Sequence, residues 1–196
     1  PSQGPVAHLV IDATGLKVYG EGEWKIRKHG KEKRRVWRKL HLAVDATTHA
    51  VIAAEVSLET VADNEVLPTL LNPLRRKIKQ VSADGAYDTK ACHALLKKKG
   101  AKATIPPRKN AAPWEEGHPR NEAVTALKAG ELKQWKKDSG YHQRSIAETA
   151  MYRFKQLIGP TLSLRNYNAQ VGEILAGVKV MNKLIGLGMP VRQPVN

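Results

Sequence analysis

The sequence predicts an α/β domain in which a mixed sheet is flanked by helices. Three observations carry this expectation. Three short runs of strand character fall within residues 1–60, the second and third joined by a turn, as in an antiparallel hairpin. From residue 63 onward, apolar stripes of helical period alternate with brief apolar runs bounded by turn residues. The 196 residues suffice for one domain with its own core, and no internal repeat or low-complexity tract interrupts them.

Leu9, Val10 and Ile11 form a continuous apolar run that reads as a central strand, with Asp12 at its end and Gly15 as its stop. Residues 25–39 hold nine Lys or Arg and one Glu around Gly30, too charged for core, and are expected to form a basic hairpin or loop with Trp24 and Trp37 beside it. Residues 36–45 alternate, placing Val36, Leu40, Leu42 and Val44 on one side and Trp37, Lys39, His41 and Asp45 on the other, the pattern of a half-buried strand. Thr47, Thr48 and His49 turn it into a partner strand over 51–56. A helix is expected over 63–74, capped by Asp63, with Val66, Leu67, Leu70, Leu71 and Leu74 as its stripe and Pro68 and Pro73 as irregularities. Residues 80–83 form a strand ending in the Asp84-Gly85 turn, and a helix over 88–99 begins with Asp88 as its cap and closes at Gly100. A short strand over 103–105 stops at Pro106-Pro107. Residues 106–121 read as loop with Trp114 exposed. Helices are expected over 121–137, 141–158 and 169–185, the last burying Val171, Ile174, Leu175, Val178 and Met181. The domain is expected to span 1–188, with a loose tail over 189–196.

Two aspartates share a local layout of strand, acid and glycine: Asp12 in DATG and Asp84 in DGAYD. A third acid, Glu148, lies within YHQRSIAETAMYRFK, where Tyr141, Arg144, Glu148 and Lys155 recur at offsets of three, four and seven. At 100° per residue, seven residues make nearly two helical turns, so these side chains are expected on one face. Arg144 and Glu148 at i, i+4 could equally be a surface ion pair. Three acids in this order, on two strand ends and a helix, favour a catalytic role. Asp45 reads as a surface or supporting residue, Asp63 and Glu65 as helix-start acids, and His8 and His41 as packing or strand-surface residues.

Lys and Arg number 33 against 18 Asp and Glu, for a net charge of +15 and a pI near 10.0. Such an excess implies a polyanionic partner, since bound phosphates release counterions. No apolar run approaches membrane-spanning length, and mean hydropathy is -0.44. The single cysteine, Cys92, excludes an internal disulfide and fits a reducing compartment, and Cys92-His93 without a second pair argues against zinc. Because the chain starts at Pro1, an upstream segment is expected.

Read as Y-x-x-R-x-x-x-E-x-x-x-x-x-x-K, the helix motif resembles the signature of bacterial insertion-sequence transposases of the DDE type, of the insertion-sequence-5-like group. The two aspartate motifs resemble those of the same group. The resemblance covers nearly the whole chain and implies a ribonuclease-H-like fold in which the first and fourth strands are adjacent and parallel. It implies that Asp12, Asp84 and Glu148 are catalytic and hold Mg2+, with Mn2+ able to substitute. It also implies that Tyr141, Arg144 and Lys155 contact DNA. The basic run adds Lys25, Arg27, Lys28, Lys31, Lys33, Arg34, Arg35 and Arg38 as backbone contacts. The expected partner is double-stranded DNA, transposon end and target, engaged by a homodimer or larger assembly on the bacterial nucleoid in the cytoplasm, with an N-terminal DNA-binding region upstream. Only 64 positions separate Asp84 from Glu148, which leaves little room for the large β-rich insertion some relatives carry there. Two other readings stay open: a nuclease or resolvase of the same fold that cuts without strand transfer, and an inactive remnant that only binds DNA.

Overall fold

The computed structural model describes residues 4–18 and 36–188. The basic run from Lys25 to Arg35, with Trp24, and the tail over 189–196 lie outside the described residues. Strands β1 (Val6–Val18), β2 (Trp37–Asp45), β3 (Val51–Leu58), β4 (Ile78–Ser82), β5 (Lys102–Thr104) and β6 (Thr161–Leu162) form one sheet. Its order is β3-β2-β1-β4-β5, with β6 paired to the far end of β1. The first three strands form an antiparallel meander, while β1, β4 and β5 run parallel. The expected adjacency of the first and fourth strands is therefore present.

Among the described residues there are six α-helices, α1 (Asp63–Leu71), α2 (Lys90–Lys98), α3 (Arg120–Lys128), α4 (Leu132–Asp138), α5 (Ser145–Leu157) and α6 (Tyr167–Gly186); α1 and α2 cover one face of the sheet, and α5 and α6 the other. Strand alternation divides the core. Val10, Leu16, Leu40, Leu42 and Val44 pack with Ala147, Met151 and Phe154 of α5 and Ile174, Val178 and Met181 of α6. Leu9, Ile11 and Ala43 pack with α1 and with Cys92 and Leu96 of α2. Because both faces are covered, β2 is not half-buried as its pattern suggests. His41 and Asp45, placed on its polar side, are 0% and 5% exposed, and His41 is satisfied at Nε2 by the Ser57 hydroxyl, 2.9 Å away. His8 is likewise buried, bonded to Ser82 Oγ at 2.7 Å.

Several boundaries differ from expectation for local reasons. Gly15 does not stop β1, because β2 pairs alongside through Lys17 and Trp37, and the Trp37 ring covers the glycine. Helix α1 ends at Leu71 and takes no side-chain cap; Asp63 instead accepts from Lys39 Nζ at 2.9 Å. Pro68 sits inside α1, leaving the Asn64 carbonyl without its helical donor. The Cys92 thiol, 3.7 Å away, faces that oxygen. Asp88 does not cap α2; Thr89 does, through Oγ1 and the Cys92 amide. The helix expected over 121–137 is two helices, broken where Gly130 takes φ 76°. Trp114 is half-buried rather than exposed. Among the described residues no helix is long and apolar enough to cross a membrane.

The packing of α5 on α6 depends on Gly177, where a Cβ would stand 2.9 Å from Ile158 Cγ2 and 3.0 Å from Phe154 Cε2. Gly177→Val is expected to cost roughly 1–3 kcal/mol by overpacking. Gly172→Ala, on the same helix with nothing within 4 Å, is expected to be neutral or stabilising by up to about 1 kcal/mol. Urea unfolding of the two variants checks this; equal stabilities would show that α5 and α6 are not in close contact there.

Candidate active site at the end of the parallel ladder

The β1–β4 ladder ends at Val10 opposite Ser82. Continuing that register by two residues on each strand brings Asp12 opposite Asp84, just past the last parallel pair. β1 nevertheless runs on to Val18 against β2. Asp12 is thus mid-strand, not at a strand end as the sequence suggested; what ends beside it is β4. On the far side β6 rejoins β1 only at Lys17, so among the described residues no strand pairs with that edge of β1 between β4 and β6. Asp12 lies on the same face as Val10, which packs against α5, and α5 carries Glu148 at its first turn. Asp84 follows β4 and caps a 3-10 turn over Gly85–Tyr87, its Oδ1 accepting from the Ala86 amide at 2.9 Å.

Arg144 joins two of the acids. Its Nη1 donates to Asp12 Oδ2 at 2.9 Å, and its Nη2 donates to Glu148 Oε1. The guanidinium and the Asp12 carboxylate are 19% and 20% exposed, against 55% for Glu148. Burial raises the Asp12 pKa above the usual carboxylate value; the Ala13 amide and Arg144 oppose the shift, while the charges of Asp84 and Glu148 add to it. Among the described residues, no group of three or more His, Cys, Asp or Glu side chains is gathered closely enough to hold a metal ion; the Arg144 guanidinium stands between Asp12 and Glu148.

Tyr141 and Arg144 lie on a 3-10 turn, Tyr141–Arg144, that leads into α5. The expected single helix from residue 141 is therefore tighter in its first turn, yet the Tyr141 ring still reaches the site, with Arg144 Cζ 5.9 Å and Lys136 Nζ 5.3 Å from its centroid. Burial raises the Tyr141 pKa, Arg144 opposes this, and Asp84 and Asp12 reinforce it. Lys155 is half-buried two turns along α5 from Glu148. Arg38, grouped with the basic run, lies within β2, where its Nε donates to Gln170 Oε1 at 2.8 Å and its Cζ lies 5.4 Å from the Tyr167 ring.

Sequence reasoning missed two features. Tyr87 is buried, its hydroxyl has no hydrogen-bond partner among the described residues, and burial together with Asp63, Asp84 and Asp12 raises its pKa strongly. It follows Asp84 by three residues within the same motif, and the 3-10 turn over Gly85–Tyr87 places it in the core. The second is the pair of Asp88 with Arg120, whose Nε and Nη2 donate to Oδ1 and Oδ2 at 2.5 and 2.6 Å. Beyond that pair lies a cleft of about 860 Å3 bordered by His93, Lys97, Lys102, His118, Arg120 and Trp135. None of the three acids lines it.

A mixed sheet of order 3-2-1-4-5 flanked by helices has the ribonuclease-H-like fold. The chain belongs to the transposase DDE domain family, which it matches over residues 5–182. Among solved structures it is similar to the piggyBac transposase synaptic complex with hairpin DNA, at 14% identity and a TM-score of 0.53 over 96% of this chain and 50% of that one. A weaker likeness is to the simian T-cell lymphotropic virus intasome in complex with PP2A regulatory subunit B56 gamma, at 16% identity and a TM-score of 0.37 over 80% of this chain and 50% of that one. The chain spans about half the length of these solved chains.

Proposed function

We propose that this domain cleaves DNA at the ends of a transposable element and joins the freed 3′-hydroxyls to target DNA, with Asp12, Asp84 and Glu148 as its metal-holding acids. What supports the reading is that the β1–β4 ladder stops just before Asp12 and Asp84, and that Arg144 joins Asp12 to Glu148, in a chain of the transposase DDE domain family. Proteins of this family generally work with divalent metal ions. Three carboxylates are an all-oxygen donor set, which favours hard cations such as Mg2+ or Mn2+ over softer metals. When bound, such ions supply Lewis-acid stabilisation of a phosphodiester displacement.

The chain's own residues do the rest. Asp12, fixed within a strand buried on both faces, gives the site a rigid origin. Asp84 is held by its own turn, and Glu148, at the more exposed edge, completes the set. Arg144, Tyr141 and Lys155 line the approach as phosphate contacts. Lys25, Arg27, Lys28, Lys31, Lys33, Arg34, Arg35 and Arg38 extend a basic track along the DNA backbone. The charge of +15 supports double-stranded DNA as partner, and the assembly is a homodimer or larger on DNA at the bacterial nucleoid, with a separate region reading the element's ends.

Nicking of labelled duplex carrying an element's terminal repeat is expected with Mg2+ or Mn2+ and not in excess chelator, while gel-shift binding persists without metal. Undiminished nicking in chelator would sink this reading.

A further inference from the structure

We infer that Arg144 is a latch that occupies the acidic site in the DNA-free protein and must leave Asp12 and Glu148 for a DNA phosphate before the acids take up a divalent cation. This rests on the reading of Asp12, Asp84 and Glu148 as the metal-holding group. One guanidinium bonds two carboxylates far apart in the sequence, through Nη1 to Asp12 Oδ2 and Nη2 to Glu148 Oε1. These are oxygens a cation would need. Arg144 thereby neutralises Asp12 and Glu148 internally, two of the three acids of the proposed site.

The same guanidinium is suited to exchange partners. A planar fork pairs with phosphate oxygens as it does with carboxylate oxygens. Arg144 ends the 3-10 turn that enters α5, and its partner Glu148 is more than half exposed. A phosphate arriving at the open edge can therefore replace the carboxylates around Arg144, freeing them for a cation. Metal and DNA then bind cooperatively, and each raises the affinity of the other by the same factor. Stray metal does not charge the site before DNA is present.

The test is a Mn2+ titration followed by electron paramagnetic resonance, on the unaltered protein and on Arg144→Gln, each with and without a random-sequence duplex, after subtraction of Mn2+ held by the duplex alone. Without DNA, Arg144→Gln is expected to bind Mn2+ about tenfold more tightly than the unaltered protein. DNA should tighten Mn2+ binding to the unaltered protein by a similar factor and to the variant hardly at all. Equal or weaker DNA-free binding by Arg144→Gln overturns the latch. If the unaltered protein alone binds Mn2+ as tightly as the variant, the metal-holding reading stands and only the latch falls. Adding Asp12→Asn to Arg144→Gln must abolish the gain; if the tight Mn2+ remains, it lies elsewhere and both readings fall. Should Arg144→Gln not fold, Arg144→Lys carries the same comparison, because one ammonium replaces the fork that bridges the two acids.

Discussion

Glu148→Gln is expected to reduce nicking of terminal-repeat DNA at least about a hundredfold, since changing even an outer partner of a metal ligand commonly costs 10–100-fold. The fold should not suffer. Glu148 is 55% exposed, and its ion pair with Arg144 lies on a helix surface, where such pairs contribute under about 1 kcal/mol. Binding to duplex DNA should persist or tighten slightly, because a negative charge is removed while the basic surface is unchanged. The three measurements are nicking rate, gel-shift affinity across a salt series, and melting temperature on one preparation. A variant that nicks at the unaltered rate would remove Glu148 from the chemistry and favour a domain that only binds DNA. A variant that melts far lower would show that Glu148 supports the fold instead.

Arg120→Met is expected to be the most damaging change to stability outside the hydrophobic core. The Asp88 carboxylate is 1% exposed and the Arg120 side chain 4%. The guanidinium also donates from Nη1 to the Ala112 carbonyl and lies 4.1 Å from the Trp114 ring centroid. Removing it leaves a buried carboxylate without its counter-charge, at a cost of about 3–5 kcal/mol. For a chain of this size that lowers the melting temperature by roughly 6–20 °C.

The pH dependence gives a second readout. Burial alone would raise the Asp88 pKa, but the bonds from Arg120, the His93 ring nitrogen 3.4 Å away, the Arg120 charge and the Arg108 amide outweigh it and bring it down from 3.8 to about 2. A depressed folded pKa means that the contribution, about 2 kcal/mol, is complete above the unfolded value and is lost as pH falls through about 2. In Arg120→Met the sign reverses. With its counter-charge gone, Asp88 has a raised folded pKa, so the variant should gain stability relative to the unaltered protein as pH is lowered from 7 toward 5. Asp88→Leu combined with Arg120→Met should recover part of the loss, as apolar replacements of buried pairs often do. Loss of under about 1 kcal/mol in the single variant would show that the pair is not a buried constraint.

The sequence by itself determined the class of the fold and singled out three acids, two of which, Asp12 and Glu148, share one guanidinium in the structure. Apolar runs at Leu9–Ile11 and at Val81, turn residues after Asp12 and Asp84, and a 3.6-residue stripe around Glu148 are local signals, set by backbone geometry and water avoidance. Local signals could not say what covers the other face of a strand. His41 read as packing or strand-surface and Asp45 as surface or supporting; both are buried, on the side of the sheet where α1 and α2 pack. Gly15 read as a stop, yet β2 continues beside it and carries the strand on. Asp88 read as a helix cap because a short acid before a helix commonly is one. Its actual partner, Arg120, is 32 residues away and is delivered only by the packing of α3. Arg144 has the same history: its spacing to Glu148 was visible as i, i+4, but the bond to Asp12 spans 132 residues. Long-range pairing of buried charges is decided by which elements the core brings together, and burial then makes that choice strong.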